Sequence, residues 1–349
     1  MIFASDNWAG ASDKVMAALA EANAGPSPAY GVDEITRRLE ARMADLFETD
    51  VAVFLVATGT GANALSIAAF APPWGAVLCH EGAHLASDEC GAPEFFAGTK
   101  TVGLPGARAK LDPATVTAAL MELPAGVVHH SQPAVLSLTN ATELGTVYTP
   151  DEVAALSAVA RTRRMAVHMD GARLANAISH LEVAPSALTW RAGVDVLSFG
   201  ATKGGAFMAE AVVLFDRSRA EAMGYLRKRA GQLVSKHRFV AAQFDAWLDD
   251  EHWLDLADHA NAMAARLAAG LRQAEKARLA WEPQANEVFA YMAPETAAAL
   301  RERGATFYEW TMTGLPAEDG PRGREQLYRL VASFRTTEEE VDAFLGAIR

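Results

Sequence analysis

Two short segments carry residues whose types and order suit ligand chemistry. The first is Gly59-Thr60-Gly61-Ala62-Asn63-Ala64, which follows an expected strand and opens an expected helix. It fits G-x-G-x-x-A, with Glu81 at the end of the next expected strand, a dinucleotide fingerprint in which amides and the helix dipole hold a pyrophosphate. A strand–glycine–helix junction binds any phosphate, however, and can equally be a tight turn with close helix packing. The second segment is His80-Glu81-Gly82-Ala83-His84, a literal H-E-x-x-H. Zinc would need both imidazoles on one helical face, with the glutamate as general base. Here the segment directly follows a strand-like run and has Gly82, a poor helix former, at its centre. His80 therefore reads as a strand-end residue with a backbone partner, and no metal site is expected.

A third constellation joins His168-Met169-Asp170-Gly171-Ala172-Arg173 to Ser198-Phe199-Gly200-Ala201-Thr202-Lys203-Gly204-Gly205. Both stretches end expected strands on the side where open α/β sheets place ligands. Singly, Asp170 could cap a helix and Lys203 could face water. Together they offer an amine for a Schiff base and a carboxylate for a pyridine nitrogen, two groups that pyridoxal 5'-phosphate (PLP) chemistry requires. The Thr58-Gly59-Thr60 turn adds a phosphate cradle.

These segments need a scaffold, and the chain predicts one. Near-continuous apolar runs at 51–56, 75–79, 134–138, 165–169, 194–199 and 211–215 read as strands buried on both faces. Helical patterns fall between them, as at Ile35, Leu39, Met43 and Leu46, and Thr149-Pro150-Asp151-Glu152 reads as a capping box. From about Arg217 the pattern becomes helical to about Asp249, and again from Trp253 to about Ala277. Strand-like pieces return at 288–292, 306–312 and 327–333, and a last helix opens at Thr337. The expected architecture is α/β, a large domain over residues 1–249 with a mostly parallel sheet, and a small C-terminal α+β domain over 250–349.

The 349 residues carry a net charge of −12 and are 51% apolar and 21% charged, an ordinary globular composition of about two domains. The acidic balance argues against nucleic acid or an anionic membrane surface as partner, and for a small-molecule site. The longest apolar stretch, 64–79, is broken by Ser66, Pro72, Pro73 and Gly75, so no membrane span is expected. The N-terminal MIFASDNWAG has neither a basic region nor an uninterrupted apolar one, and two cysteines make no disulfide framework. A soluble cytoplasmic protein is expected.

Beyond these patterns, the sequence resembles the L-threonine aldolases, PLP enzymes of fold type I, the aspartate-aminotransferase fold. The resemblance runs through FASDNWAG at Phe3–Gly10, Ala29-Tyr30-Gly31, Thr58-Gly59-Thr60, DECGAPEFF at Asp88–Phe96, HMDGAR, SFGATK, AGQLVSK at Ala230–Lys236 and YRLVASF at Tyr328–Phe334. It is nearest to the low-specificity bacterial L-threonine and L-phenylserine aldolases. It implies a seven-stranded large-domain sheet and an aldehyde-lyase that splits L-β-hydroxy-α-amino acids into glycine and an aldehyde. By resemblance, Lys203 forms the Schiff base with PLP, and Asp170 pairs with the pyridinium nitrogen. Thr58, Gly59 and Thr60 hold the phosphate, and His84 stacks on the ring. Ser5, Arg173 and Arg329 hold the substrate carboxylate, with Arg173 also beside the cofactor. Lys228 reaches a neighbouring subunit's phosphate, and Tyr30 lies at that interface near the substrate, which implies a homodimer with shared sites and, by family habit, a homotetramer.

Two positions depart from the family pattern. Many such aldolases carry a second active-site histidine in the segment equivalent to 138–143, where this chain has Thr142. A hydroxyl can give or take one hydrogen bond at the substrate's β-oxygen but has no useful basicity. The base is then His84 or a water, and poor discrimination between threonine and allo-threonine is expected. The lysine is also followed by Gly204-Gly205 where relatives often have Asn-Gly. Other outcomes remain open at this level: an aminotransferase or β-eliminating lyase on the same cofactor, or a nicotinamide-dependent dehydrogenase on the 59–64 fingerprint.

Overall fold

The computed structural model describes residues 1–310 and 315–348. Seven strands form the larger sheet: β1 (Ala52–Val56), β2 (Gly75–His80), β3 (Lys100–Leu104), β4 (Gln132–Thr139), β5 (Ala166–Gly171), β6 (Val196–Gly200) and β7 (Glu210–Leu214). Their order is β1-β7-β6-β5-β4-β2-β3, and β7 alone runs against its neighbours. The reversal has a local cause: β6 and β7 are joined by the short loop 201–209, whereas a parallel return needs a crossover of a dozen residues or more. Lys203 sits in that loop.

The inner strands β2, β4, β5, β6 and β7 are largely apolar because helices cover both faces. On one face the helix Gly59–Phe70 packs Ala62 and Leu65 against Val196, Val212 and Leu214. On the other, the helices Glu34–Phe47, Pro150–Thr162 and Arg238–Leu248 enclose the main core, including Leu39, Val153 and Trp247. The capping box at Thr149–Glu152 forms as expected.

The second sheet is antiparallel, in the order β10-β11-β9-β8, from β8 (Ala277–Leu279), β9 (Glu287–Met292), β10 (Tyr308–Glu309) and β11 (Gln326–Val331). Its core joins Val288, Leu330 and Phe344 to Phe3 from the start of the chain. The N–H of Phe3 donates to Thr306 and its carbonyl accepts from Val331, so the first residues are stitched to this smaller unit. The helix His252–Leu271 packs on both the helix Leu174–Leu181 and the helix Glu338–Ile348, tying the two units together.

Four expectations need correction in detail. Residues 217–249 are not one helical run. The helix Ala220–Arg229 ends at Ala230, Gly231 adopts φ +72°, and a second helix starts at Arg238. The next helix stops at Leu271, and Ala277 already begins β8. The strand expected at 306–312 is only Tyr308–Glu309, with 311–312 outside the described residues. β3 was not anticipated: Lys100-Thr101-Val102-Gly103-Leu104 is an edge strand with little apolar character.

Candidate active site

The carboxyl ends of β4, β5 and β6 come level with the start of β7, where Thr139 pairs with Asp170, Asp170 with Ser198, and Gly200 with Glu210. A cavity of about 910 Å³ opens there. At its floor the helix Gly59–Phe70 begins. Thr58 Oγ1 caps it by accepting from the N–H of Gly61 at 3.0 Å. The amides of Gly59 and Thr60, in the first turn, have no carbonyl of that helix to bond and line the cavity. Gln232, from the break after Ala230, accepts from Ala57 N–H at 3.0 Å, and a Cβ on Gly61 would stand 2.9 Å from its Cδ. A side chain at 61 would therefore push Gln232 aside from Ala57.

Asp170 is buried at the end of β5. Its Oδ2 accepts from Asn63 Nδ2 at 2.8 Å and its Oδ1 from Ala172 N–H at 3.0 Å. Asn63 Nδ2 also donates to Glu89 Oε1 at 2.7 Å, and the same oxygen lies 2.9 Å from His84 Nδ1. An ionised glutamate only accepts, so Nδ1 carries the proton and Nε2 keeps a free lone pair. The Glu89 hydrogen bond, helped by the charge of Asp170, raises the His84 pKa against burial. Glu143 Oε1 accepts from the backbone N–H of His84 at 2.9 Å and from Thr139 Oγ1 at 2.8 Å. Burial nonetheless pushes the Glu143 carboxyl up to about 7, and its Oε2 has no partner. Beneath Asp170, His168 bridges Ser137 Oγ and Ser198 Oγ at 2.9 Å each, and burial drives its pKa down to about 4. A neutral imidazole thus links β4, β5 and β6 under the site.

Lys203 projects from a loop locked by its own glycines. Trp247 Nε1 donates to Gly204 O at 2.9 Å, and a Cβ on Gly204 would lie 2.9 Å from Trp247 Cζ2. Gly205 has φ +117° and would press a Cβ to 2.7 Å from Leu256 Cδ1. Gly204 therefore follows from the indole above it, and Gly205 from its left-handed φ and the nearby Leu256. Glu210, buried at the start of β7, is pushed up to about 7 by burial, against pull from Thr202 and Lys203.

The far end is basic. Arg173 is half-buried and gives Nε and Nη2 to Asp6 Oδ2 and Oδ1 at 2.7 and 3.0 Å. Burial would raise Asp6, but Arg173 and Lys203 outweigh it and hold the carboxyl at about 2. Arg329 lies over the Trp310 ring at 4.1 Å and approaches Glu287 with Nη1 at 3.4 Å. Ser5 caps the turn that presents Asp6, accepting from Asn7 N–H at 3.1 Å.

Of the residues singled out in the sequence, Ser5, Arg173 and Arg329 line this end of the cavity, and Thr58, Gly59, Thr60, His84, Asp170 and Lys203 line the rest. Three are elsewhere. Thr142 is fully buried, with its hydroxyl 2.7 Å from Thr146 Oγ1 and accepting from the N–H of Leu144 and Thr146. Tyr30 and Lys228 are exposed outside the cavity, with Lys228 Nζ 5.4 Å from the Tyr30 ring centre. The segment 80–84 is no helix: His80 ends β2, taking Gly82 N–H on Nδ1 with Nε2 3.1 Å from Gly106 O, and His84 begins the next helical turn. The 59–64 junction follows β1, the outermost strand beside reversed β7, not the central parallel strand a dinucleotide site uses. Glu89, Glu143, Glu210 and Glu287 were not anticipated. Glu89 left a trace inside the DECGAPEFF segment, and Glu143 ends the 138–143 segment singled out for Thr142.

Comparison with known proteins matches this geometry. A family model described as beta-eliminating lyase matches residues 3–295. The low-specificity L-threonine aldolase of Pseudomonas aeruginosa is 44% identical over 313 residues, 89% of this chain and 90% of that one. The enzyme of the same name from Pseudomonas sp. (strain NCIMB 10558) is 41% identical over the same shares. Among solved structures, a threonine aldolase of Leishmania major superposes with a TM-score of 0.91 at 28% identity, covering 99% of this chain and 98% of that one.

Proposed function

The chain belongs to the low-specificity L-threonine aldolases of the beta-eliminating lyase family, and on that premise we propose the chemistry of its cavity. It is a PLP-dependent aldehyde-lyase that breaks Cα–Cβ of L-threonine, L-allo-threonine and related L-β-hydroxy-α-amino acids, L-phenylserine among them, releasing glycine and an aldehyde. The residues present fit the cofactor. Two partnerless amides at a helix start suit its phosphate, a buried carboxylate suits its ring nitrogen, and an amine suits its carbonyl. When bound, PLP supplies the electron sink for the broken bond.

The chain's own groups do the rest in this reading. Lys203 offers the amine, and the donors Asn63 Nδ2 and Ala172 N–H aim the two oxygens of Asp170. Arg173, Arg329 and Ser5 hold the α-carboxylate, since a planar fork suits it bidentately. His84 Nε2 takes the β-hydroxyl proton, with Glu89 fixing the tautomer. Glu143, one residue beyond Thr142 and on the cavity wall, holds a proton on its free Oε2 near neutral pH. Thr142 is assigned the turn that carries Glu143, not the substrate. Carboxylate and amine together read the L configuration at Cα, and nothing in this set reads Cβ. What supports the reading most is that Lys203 and Asp170 share one cavity with the Gly59 and Thr60 amides.

We place Lys228 and Tyr30 at the site of a neighbouring protomer, in a cytoplasmic homodimer with shared sites that pairs into a homotetramer. Both are exposed and outside their own cavity, and Val32 and Tyr225 nearby in sequence are exposed as well. Among the described residues no helix is long and apolar enough to cross a membrane.

The test is product identity with the PLP-loaded protein. Glycine and the matching aldehyde should form from L-threonine, L-allo-threonine and L-phenylserine, and Lys203→Ala should abolish this while the fold survives. Keto acid or ammonia as the main product would sink the aldolase reading. A mixture of Lys203→Ala and Lys228→Ala chains should regain part of the activity if sites are shared, and none if they are not.

A further inference from the structure

One carboxyl at the basic end has no part in that reading. Glu287 opens β9 and is wholly buried. Its Oε1 lies 3.5 Å from Arg173 Nη2 and 3.4 Å from Arg329 Nη1, and its Oε2 has no partner at all. Asp6 stands in contrast, with two short bonds from Arg173 and a third from Asn286 Nδ2 at 3.1 Å. A carboxylate facing two guanidiniums normally draws them to about 2.7–2.9 Å. Glu287 is the loosely held anion of the pair.

The charges here are countable. Arg173 and Arg329 bring two positive charges, Asp6 and an ionised Glu287 two negative ones. An amino acid's carboxylate arriving at the same guanidiniums would make a third anion on two cations. Asp6, held at about 2, cannot yield by taking a proton at working pH. Glu287 can: burial raises its pKa although Arg173 and Arg329 pull it down. The groups that act on it come from four segments: Asp6 from the N-terminal turn, Arg173 after β5, Arg329 on β11 and Lys203 in the β6–β7 loop. Glu143 and Tyr308 act one step away, on Arg173 and Arg329.

We propose, taking Arg173 and Arg329 as the substrate's carboxylate site, that Glu287 is a proton-linked placeholder: an anion while the site is empty, and a neutral acid once the substrate's carboxylate has taken over the two guanidiniums. The proton comes from solvent and goes to Glu287, and no bond of the substrate is touched. The oxygen that lacks a partner when ionised then carries a donor. By reciprocity, raising the pH weakens carboxylate binding as much as carboxylate binding raises the affinity of Glu287 for its proton. Glu287 is thus a positioning and specificity residue that favours a site with one carboxylate and penalises a second negative charge beside it.

Glycolate separates this from amine chemistry, because it has the carboxylate and no amino group. Its binding to the PLP-loaded protein is followed by calorimetry in buffers of different ionisation heat. Wild type should take up about one proton more per glycolate than Glu287→Gln. Its Kd should rise about tenfold per pH unit over the window in which empty Glu287 is ionised, and that of Glu287→Gln should stay flat. Equal proton counts in the two proteins overturn the proposal. Arg329→Met serves as control. If it leaves the glycolate Kd unchanged, the carboxylate reading itself is wrong. If it weakens binding while wild type takes up no extra proton, only the role of Glu287 fails. Should Glu287→Gln not fold, the infrared difference spectrum of wild type decides: a protonated-carboxyl band appearing with glycolate supports the proposal, and its absence overturns it.

Discussion

His84 is held by two glutamates that act on it differently. Glu143 fixes its backbone, while Glu89 fixes its ring and raises its pKa. The base that takes a proton must be neutral, so kcat/KM should fall as the pH drops through this raised value. Glu89→Gln keeps an oxygen near Nδ1 but removes the charge. The acid limb of the pH–rate profile should then move to lower pH, and kcat should fall about tenfold, the scale of one charge-assisted hydrogen bond. A profile that stays in place would take the proton transfer away from His84. Residues of this kind divide by how they could be read. Lys203, Asp170, Arg173 and the Thr58–Thr60 turn lie in contiguous segments whose order alone suggested a cofactor. Glu89 is joined to Asp170 through Asn63, 26 residues earlier in the chain, and no local pattern encodes that meeting. Thr142 shows the converse, since a family position was legible but the path of its side chain into the turn was not.

At the scale of elements, strand runs were legible because strands buried on both faces are apolar throughout, and the same criterion hid two carboxyls. Glu210 and Glu287 are the first residues of β7 and β9, and a count of apolar residues starts one position later at each. Register then sets Glu210 opposite Gly200 and Val56, inside the site. β3 and β8 escaped for a different reason: one is a polar edge, the other three residues long. The loop between β6 and β7 carries a sharper prediction. Trp247 is fully buried and packs on Phe199, Phe244 and Trp253 with ring centres 5.4–5.9 Å apart, so it cannot retreat from a new Cβ. Gly204→Ala should destabilise by about 1–3 kcal/mol, the usual scale of overpacking. It should also loosen PLP through displacement of Lys203. Thermal melting and retention of the cofactor's visible absorbance on dialysis check both, and an unchanged melt would mean that the indole moves after all.

For the whole molecule, charge burial predicts an unusual pH dependence in the cofactor-free chain. Glu143 and Glu210 rise to about 7 on folding from an ordinary 4.5, so the folded state binds more protons than the unfolded chain between those values. The contribution of these two carboxyls to stability should therefore fall as the pH rises from about 4.5 to about 7. Asp6 works the other way, because its stabilisation is present above its ordinary 3.8 and lost as the pH falls towards about 2. His168 and His237, lowered by burial from 6.5 to about 4, also oppose the glutamates below about 6.5. The clean readout is the difference between chains: Glu210→Gln should remove one falling contribution, so its melting temperature should gain on that of the parent chain as the pH rises from about 4.5 to about 7. A difference in Tm that stays constant over that range would contradict this. The stitching of Phe3 and Asp6 to the smaller unit also bears on synthesis. Asp6 meets Asn286 across 280 residues, and Phe3 stacks edge-on to Phe344 at 5.2 Å. At ribosomal speeds of about 5–20 residues per second, Asp6 waits on the order of tens of seconds for Asn286. During that time Phe3 lacks the Phe344 ring that covers it in the finished fold. An interrupted translation product has Lys203 and Asp170 already made, while Glu287 and Arg329, which line or flank the same cavity, are still to come.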